Sequence, residues 1–242
     1  MISRRPLPPA VPRPLPPLPP QWLSADVAAS MPAWLLERWI RRFGHDAAMA
    51  AAQAALETPS VYVRIPPASA PGPELHATGV PGCYLVPPGA PVHGRVQDIG
   101  SQAIVPLLDL QPGHRFLDLC AAPGNKTAQA LETPGTLAVA CDASPRRLRD
   151  LPPDALPAHR LRLDAAQPLP FGPVFDRILV DAPCSGTGTL ARHPEIKWRL
   201  TPGDIARHAA RQRAILRHAL ACLKPGGVLV YSTCSLELEE NG

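Results

Sequence analysis

Phe116-Leu117-Asp118-Leu119-Cys120-Ala121-Ala122-Pro123-Gly124-Asn125-Lys126-Thr127 passes from an apolar strand into a run of small residues and then into a helix start. Small residues at such a turn let a ligand approach the backbone, and the N-terminus of the following helix favours negative charge. The stretch is neither a dinucleotide-binding G-x-G-x-x-G nor a Walker loop, because Asn125 separates Gly124 from Lys126. A nicotinamide oxidoreductase is disfavoured for that reason. From Gly94 onward, strand and helix candidates alternate. The strands fall at Arg115–Leu119, Leu137–Cys141, Arg160–Leu163, Arg177–Val180 and Val228–Ser232. The helices fall at Thr127–Leu131, at Arg146–Leu151 and in a long segment after Thr201, with Thr201 as N-cap, Pro202 first and Asp204 third. That helix is expected to stop at Lys224-Pro225-Gly226-Gly227. The first, fourth and fifth strands are continuous apolar runs, as suits strands buried on both faces. The pattern predicts an α/β fold, a parallel doubly wound sheet that binds its ligand at the carboxyl ends of its strands.

Upstream the chain reads differently. Residues 1–20 are prolines broken by arginines, expected to be an extended tail. Helical spacing runs through Pro32–Ile40 and again through Ala47–Leu56, Val61–Arg64 reads as a short strand, and Pro66–His93 reads as an irregular sub-domain or linker. With 34 prolines in 242 residues, against a usual share of about 5%, a helical bundle or long coiled coil is excluded. Apolar residues at 45% still allow a sizeable core, built from aliphatic side chains because aromatics reach only 5%. No apolar run approaches the ~20 residues of a membrane span and no signal-peptide core is present, so the cytoplasm is the expected location, with no membrane partner. The net charge is +4, and lysine occurs only at 126, 197 and 224. Between Leu190 and Lys224, Arg192, Lys197, Arg199, Arg207, Arg211, Arg213, Arg217 and Lys224 face only Glu195 and Asp204, a polyanion footprint by count; coding bias would explain the arginines equally well.

Acidic residues recur at strand ends. Asp142 follows the second strand, where it could accept hydrogen bonds from ribose hydroxyls or cap the next helix. Asp164 follows the third and Asp181 the fourth, and acids recurring along one rim suggest a pocket. Six cysteines stand at 83, 120, 141, 184, 222 and 234, without C-x-x-C or zinc-ligand spacing, so free thiols and no metal are expected. Cys83, Cys141 and Cys222 read as buried small hydrophobes. Cys184, in Asp181-Ala182-Pro183-Cys184-Ser185-Gly186-Thr187-Gly188, and Cys234, in Tyr231-Ser232-Thr233-Cys234-Ser235, each follow a strand amid small polar residues. A thiol so placed can be tuned towards thiolate, its reactive form.

These motifs, in this order, resemble those of RNA cytosine-5 methyltransferases of the RsmB/Sun (NOL/NOP/Sun) family. Further matches are Val96-Gln97-Asp98 with Ser101-Gln102, Asp142 with Ser144 and Arg147, and Arg192-His193-Pro194-Glu195-Ile196-Lys197-Trp198. Upstream, Pro32 to Gly44 and Tyr62-Val63-Arg64 are similar to the family's lead-in. The resemblance implies a Rossmann-like class I methyltransferase sheet behind a small α+β RNA-binding lead-in, with the lead-in at 21–93 and the catalytic domain at 94–242. It implies S-adenosylmethionine as cofactor, its methionine part wrapped by Cys120, Ala121, Ala122, Pro123, Gly124, Asn125 and Lys126. Asp142 would hold the ribose with Arg147 nearby, Asp164 would lie by the adenine, and Asp181 by both cofactor and target base. Cys234 corresponds to the nucleophile that adds to cytosine C6, and Cys184 to the cysteine that assists product release. The DNA enzymes instead use the Pro-Cys cysteine, so the presence of both motifs favours RNA, ribosomal or transfer. A monomer is expected.

Asn125 departs from the family by replacing a second glycine; Asn tolerates a left-handed backbone and is expected to keep the loop. Arg64-Ile65-Pro66 stands for the usual Arg-Val-Asn. The chain ends at Gly242 soon after Cys234, where family members continue through a helix and an antiparallel strand pair. A truncated catalytic domain is therefore expected, with the fifth strand at an open edge. The alternative function is an inactive RNA- or cofactor-binding fragment of such an enzyme.

Overall fold

The computed structural model describes residues 24–155 and 157–242; the proline-rich stretch 1–20 lies outside them. The chain divides into two compact units between Leu56 and Glu57. Described in the first are α1 (Ala25–Ala28), α2 (Ala33–Phe43) and α3 (His45–Ala54). Apolar spacing along α2 buries Leu35, Leu36 and Trp39, and α3 buries Ala48 and Ala52 one turn apart. Gly44 separates the two helices with φ of 82°, a backbone that glycine adopts without steric cost.

The second unit opens with a small antiparallel sheet in the order β2-β3-β1-β4. Its strands are β1 (Val61–Arg64), β2 (His76–Ala77), β3 (Cys83–Val86) and β4 (Arg95–Val96). Val63, Ile65, Leu75 and Val86 form its core. β2 and β3 lie inside Pro66–His93, which the sequence presents as irregular. Strands of two and four residues between Pro- and Gly-rich turns are too short to leave a periodic signal. All four strands belong to the compact unit 57–242, whereas the sequence-based boundary at 93/94 separates β1, β2 and β3 from β4.

The larger sheet comprises β5 (Arg115–Asp118), β6 (Leu137–Asp142), β7 (His159–Arg162), β8 (Phe175–Asp181) and β9 (Leu223–Ser232), in the order β7-β6-β5-β8-β9. All its pairings are parallel. Successive residues of β5 feed opposite faces. Phe116 joins Ala128, Ala130, Leu148 and Leu179 in one layer. Leu117 joins Ile178, Val180, Ile215 and Cys222 in the other. Each such large apolar side chain contributes roughly 1.5–3 kcal/mol by leaving water. The first face is covered partly by α4 (Ile99–Ile104), α5 (Asn125–Ala130) and α6 (Pro145–Arg149), and the second by α8 (Pro202–Cys222), which follows the short α7 (Ile196–Arg199). The chain winds outward from β5 through β6 to β7, then returns to place β8 on the other side of β5. A crevice opens at that reversal, at the strands' carboxyl ends.

The long helix begins as its sequence requires: the Asp204 carboxylate accepts from the Thr201 backbone N–H at 2.8 Å and from its hydroxyl at 2.5 Å. Its end differs. α8 stops at Cys222, and Lys224-Pro225-Gly226-Gly227 lies within β9, where these four residues between Leu223 and Val228 oppose the single Asp176 between Phe175 and Arg177. The proline and glycines that read as a helix stop are the bulged part of a strand, with Gly226 at φ 77°. β7 is solvent-exposed at all four positions, and Asp164 stands two residues beyond its end. β9 pairs with β8 alone among the described residues.

Candidate active site

The loop after β5 is shaped by Gly124, whose φ is 99° and whose missing Cβ would lie 2.7 Å from Pro152 and 2.8 Å from Leu151. Asn125 is not left-handed: it is the first residue of α5, and its Nδ2 donates to the Val96 carbonyl at 3.4 Å. One glycine suffices because the turn needs one left-handed residue before the helix begins. Thr127 Oγ1 donates to Asp118 Oδ2 at 2.7 Å, tying α5 to the strand. Burial pushes the Asp118 carboxyl up to about 7, against the opposing pull of Thr127.

At the end of β6, Asp142 Oδ1 accepts from the Ser144 N–H at 2.8 Å and its Oδ2 lies 3.4 Å from Arg147. Arg147 also donates to the Ala122 carbonyl, closing this loop on the one after β5. Ser144, not Asp142, caps α6 by accepting from Arg147 N–H. Asp164 accepts from the Ala166 N–H at 3.0 Å and from Arg211 at 2.6 Å. Asp181, ending β8, pairs with Lys126 at 2.6 Å and accepts from Ser232 Oγ at 2.8 Å.

A cavity of about 780 Å³ lies over these strand ends. Of the residues selected from the sequence, Cys120, Ala122, Pro123, Asp142, Arg147, Asp181, Cys184 and Cys234 line it. Ala121, Gly124, Asn125, Lys126 and Asp164 do not, although Leu163 and Ala165 on either side of Asp164 do. His208, also on its wall, gave no signal because it sits at an ordinary position of a long helix.

The pairing Asp181↔Ser232 brings the two cysteine loops together. Gly188 N–H donates to the Cys234 carbonyl at 2.8 Å, and the sulfurs of Cys184 and Cys234 stand 3.1 Å apart. Cys184 is half-buried and Cys234 exposed. The hydrogen bond between them holds the Cys234 thiol below its ordinary value and, with burial, pushes Cys184 well above it. Of the two, Cys234 is thus the thiol more readily ionised, with Cys184 placed to donate to it. The remaining thiols go the other way: burial raises Cys83, Cys120 and Cys222 and pushes Cys141 up to about 12.

The basic segment is less bare than its sequence suggests, because Asp98, Asp164 and Asp176 reach it from elsewhere in the chain. Arg192 pairs with Asp98, Arg207 with Asp204, Arg211 with Asp164 and Lys224 with Asp176. Lys197 is buried, whereas Arg199, Arg213 and Arg217 are exposed and carry no ion pair among the described residues. Among those residues no cluster of three or more His, Cys, Asp or Glu is placed to hold a metal ion. No described helix is long and apolar enough to cross a membrane.

Comparison with known proteins gives a consistent picture. A family model described as 16S rRNA methyltransferase RsmB/F matches residues 105–242. Ribosomal RNA small subunit methyltransferase B of Vibrio cholerae serotype O1 is 47% identical over 153 residues, covering 60% of this chain and 35% of that protein. The protein of the same name from Serratia proteamaculans is 45% identical over 156 residues, covering 60% and 36%. The chain thus spans about a third of the length of these curated relatives. Among solved structures, a methyltransferase homologue from Pyrococcus horikoshii superposes with a TM-score of 0.72 at 26% identity, covering 92% of this chain and 80% of that one.

Proposed function

The chain belongs to the RsmB/F family of 16S rRNA methyltransferases, and from that premise we propose that it methylates C5 of a cytosine in ribosomal RNA through a covalent Cys234 adduct. The observation that carries the reading is the pair of sulfurs 3.1 Å apart, with the more acidic of the two, Cys234, exposed at a cavity that Asp181 also lines.

The residues around the cavity fit S-adenosylmethionine. The volume suffices for a nucleoside-sized ligand, Asp142 offers carboxylate oxygens to ribose hydroxyls, and Leu119 and Leu163 supply apolar wall. Cys120, Ala122 and Pro123 would flank the methionine part, with Arg147 bracing that loop through Ala122. Ala121, Gly124 and Asn125 shape the loop from outside the cavity, Lys126 acts through Asp181, and Asp164 acts by placing Leu163 and Ala165. When bound, the cofactor supplies a methyl group on a positively charged sulfur.

Cytosine C5 is too electron-poor to take that methyl group unaided. The Cys234 thiolate adds to C6, forming a C–S bond and placing the displaced electron pair at C5, which then accepts the methyl group. A base removes the C5 proton, and the electrons of that C–H bond restore the ring as the Cys234 sulfur leaves C6. Cys184 keeps its own proton and donates a hydrogen bond towards Cys234, stabilising the thiolate before addition and again as it leaves C6 at elimination. Asp181, held by Lys126 and Ser232, would face the base from the β8 end. The base must leave its stack to be reached, as in single-stranded or flipped nucleotides. Arg199, Arg213 and Arg217 would contact phosphates, and residues 21–93 would serve as the RNA-binding lead-in to a catalytic domain at 94–242.

The test is transfer of labelled methyl from S-adenosylmethionine to small-subunit ribosomal RNA, followed by nuclease digestion. The label is expected in 5-methylcytidine. A folded chain that binds cofactor yet labels no cytidine would contradict the proposal and favour a binding module.

A further inference from the structure

One buried carboxylate joins the two cysteine loops. Glu240, on α9 (Leu238–Asn241), is 2% exposed. Its Oε1 accepts from the Ser185 backbone N–H at 2.9 Å and from Gln212 Nε2 at 2.9 Å. Its Oε2 accepts from the hydroxyls of both Ser185 and Ser235, which themselves stand 2.9 Å apart. Ser185 follows Cys184 in the chain and Ser235 follows Cys234. Gln212 Nε2 also reaches the Pro183 carbonyl at 3.0 Å, on the other side of Cys184. The Tyr231 hydroxyl donates to the Glu240 carbonyl at 2.8 Å, fastening α9 to β9. Every polar contact of this carboxylate therefore runs to a neighbour of one thiol or to the helix that braces it.

We propose that Glu240 is a positioning residue: by gripping Ser185 and Ser235 together it sets the separation of Cys184 from Cys234, and through that hydrogen bond the reactivity of Cys234. Glu240 does not itself line the cavity and hydrogen-bonds to neither thiol. It acts through the two serines, as a clamp whose loss lets the loops part. This inference deepens the reading of Cys234 as nucleophile and rests on it, but its test reads the thiol rather than methyl transfer. The ionisable groups that face Cys234 are Cys184 from the loop after β8, Asp181 at the end of β8 and Lys126 from α5. Asp181 and Lys126 are held by each other and by Ser232, not by Glu240, so a change at Glu240 reaches Cys234 through Cys184.

The experiment measures the rate of Cys234 alkylation by iodoacetamide against pH in the intact chain, read by mass spectrometry of the Cys234 peptide. Cys184→Ala removes the donor and should move the profile up towards an ordinary thiol. Glu240→Ala should move it in the same direction, slowing alkylation at pH 7 by roughly 3- to 10-fold, equivalent to about half to one pKa unit. The double variant should match Cys184→Ala alone, because both changes act on one hydrogen bond. A Glu240→Ala chain with native circular dichroism and an unmoved profile, or a double variant whose shifts add, would overturn the proposal. If Glu240→Ala does not fold, Ser235→Ala keeps the carboxylate and removes one grip; a smaller upward shift supports the clamp and an unmoved profile overturns it. Absence of methyl transfer by the unaltered chain while these shifts are present would count against the nucleophile assignment and leave the clamp standing.

Discussion

Asp118 and the cysteines show how position in the sheet decides the chemistry of a side chain. Burial raises the Asp118 pKa from 3.8 to about 7. A carboxyl with a raised folded-state pKa supports folding fully below its unfolded value, and that support drains away as pH climbs through the folded one. Stability should therefore fall between about pH 4 and pH 7 and then level. Asp118→Asn still accepts the Thr127 hydrogen bond but cannot ionise, so its urea-denaturation stability should be flatter over that window, by on the order of a few kcal/mol. Parallel slopes for the two proteins would show that Asp118 is not the titrating group. Among the thiols, Cys234 is exposed and held towards thiolate, whereas Cys83, Cys141 and Cys222 are buried and raised. Limited alkylation at neutral pH should modify Cys234 before any of those three, as peptide mapping would establish. Modification of Cys141 first would contradict this ordering.

At the scale of elements, the site depends on two parallel strands ending level and on loops that approach closely. Gly188 makes that approach: a Cβ there would stand 2.9 Å from the Cys234 carbonyl oxygen, on backbone that cannot yield without moving the thiol. Gly188→Ala is expected to lower stability by about 1–3 kcal/mol, as overpacking does. It should also slow methyl transfer at least tenfold with cofactor affinity little changed, because the cofactor loop after β5 is untouched. Equal turnover would show that the Cys184–Cys234 geometry does not matter. Of the five parallel strands, β5, β8 and the last half of β9 were legible as apolar runs, whereas β7, exposed at every position, was legible from its place in the alternation of strands and helices. Cys184 and Cys234 were legible as thiols placed just past strand ends. Glu240 was not, since nothing in Leu238-Glu239-Glu240-Asn241 distinguishes a buried carboxylate from a solvated one until α9 folds back on Ser185. The extent of β9 was misread because Pro225-Gly226-Gly227 is the same signal whether it ends a helix or bulges a strand. β2 and β3 escaped notice because sheets of such short strands are defined by their partners rather than by their own pattern.

At the scale of the whole molecule, charge and covalent chemistry have to serve one substrate. Counting along the sequence gave eight basic residues against two acids, but folding brings Asp98, Asp164 and Asp176 to Arg192, Arg211 and Lys224. The phosphate contacts should then come from Arg199, Arg213 and Arg217. Replacing all three by alanine should weaken RNA binding and reduce the slope of log affinity against log salt by about 2, at ~0.7 per phosphate contact on a single strand. Alanine at Arg211 should change that slope less, because Arg211 is already paired with Asp164. The proposed covalent route rests on membership of the RsmB/F family and on the paired thiols, and trapping the adduct examines it directly. Incubated with small-subunit ribosomal RNA and S-adenosylmethionine, the Cys184→Ala chain should accumulate a protein–RNA species that survives denaturing electrophoresis and disappears on ribonuclease treatment, while Cys234→Ala should form none; an adduct from Cys234→Ala and none from Cys184→Ala would contradict the account.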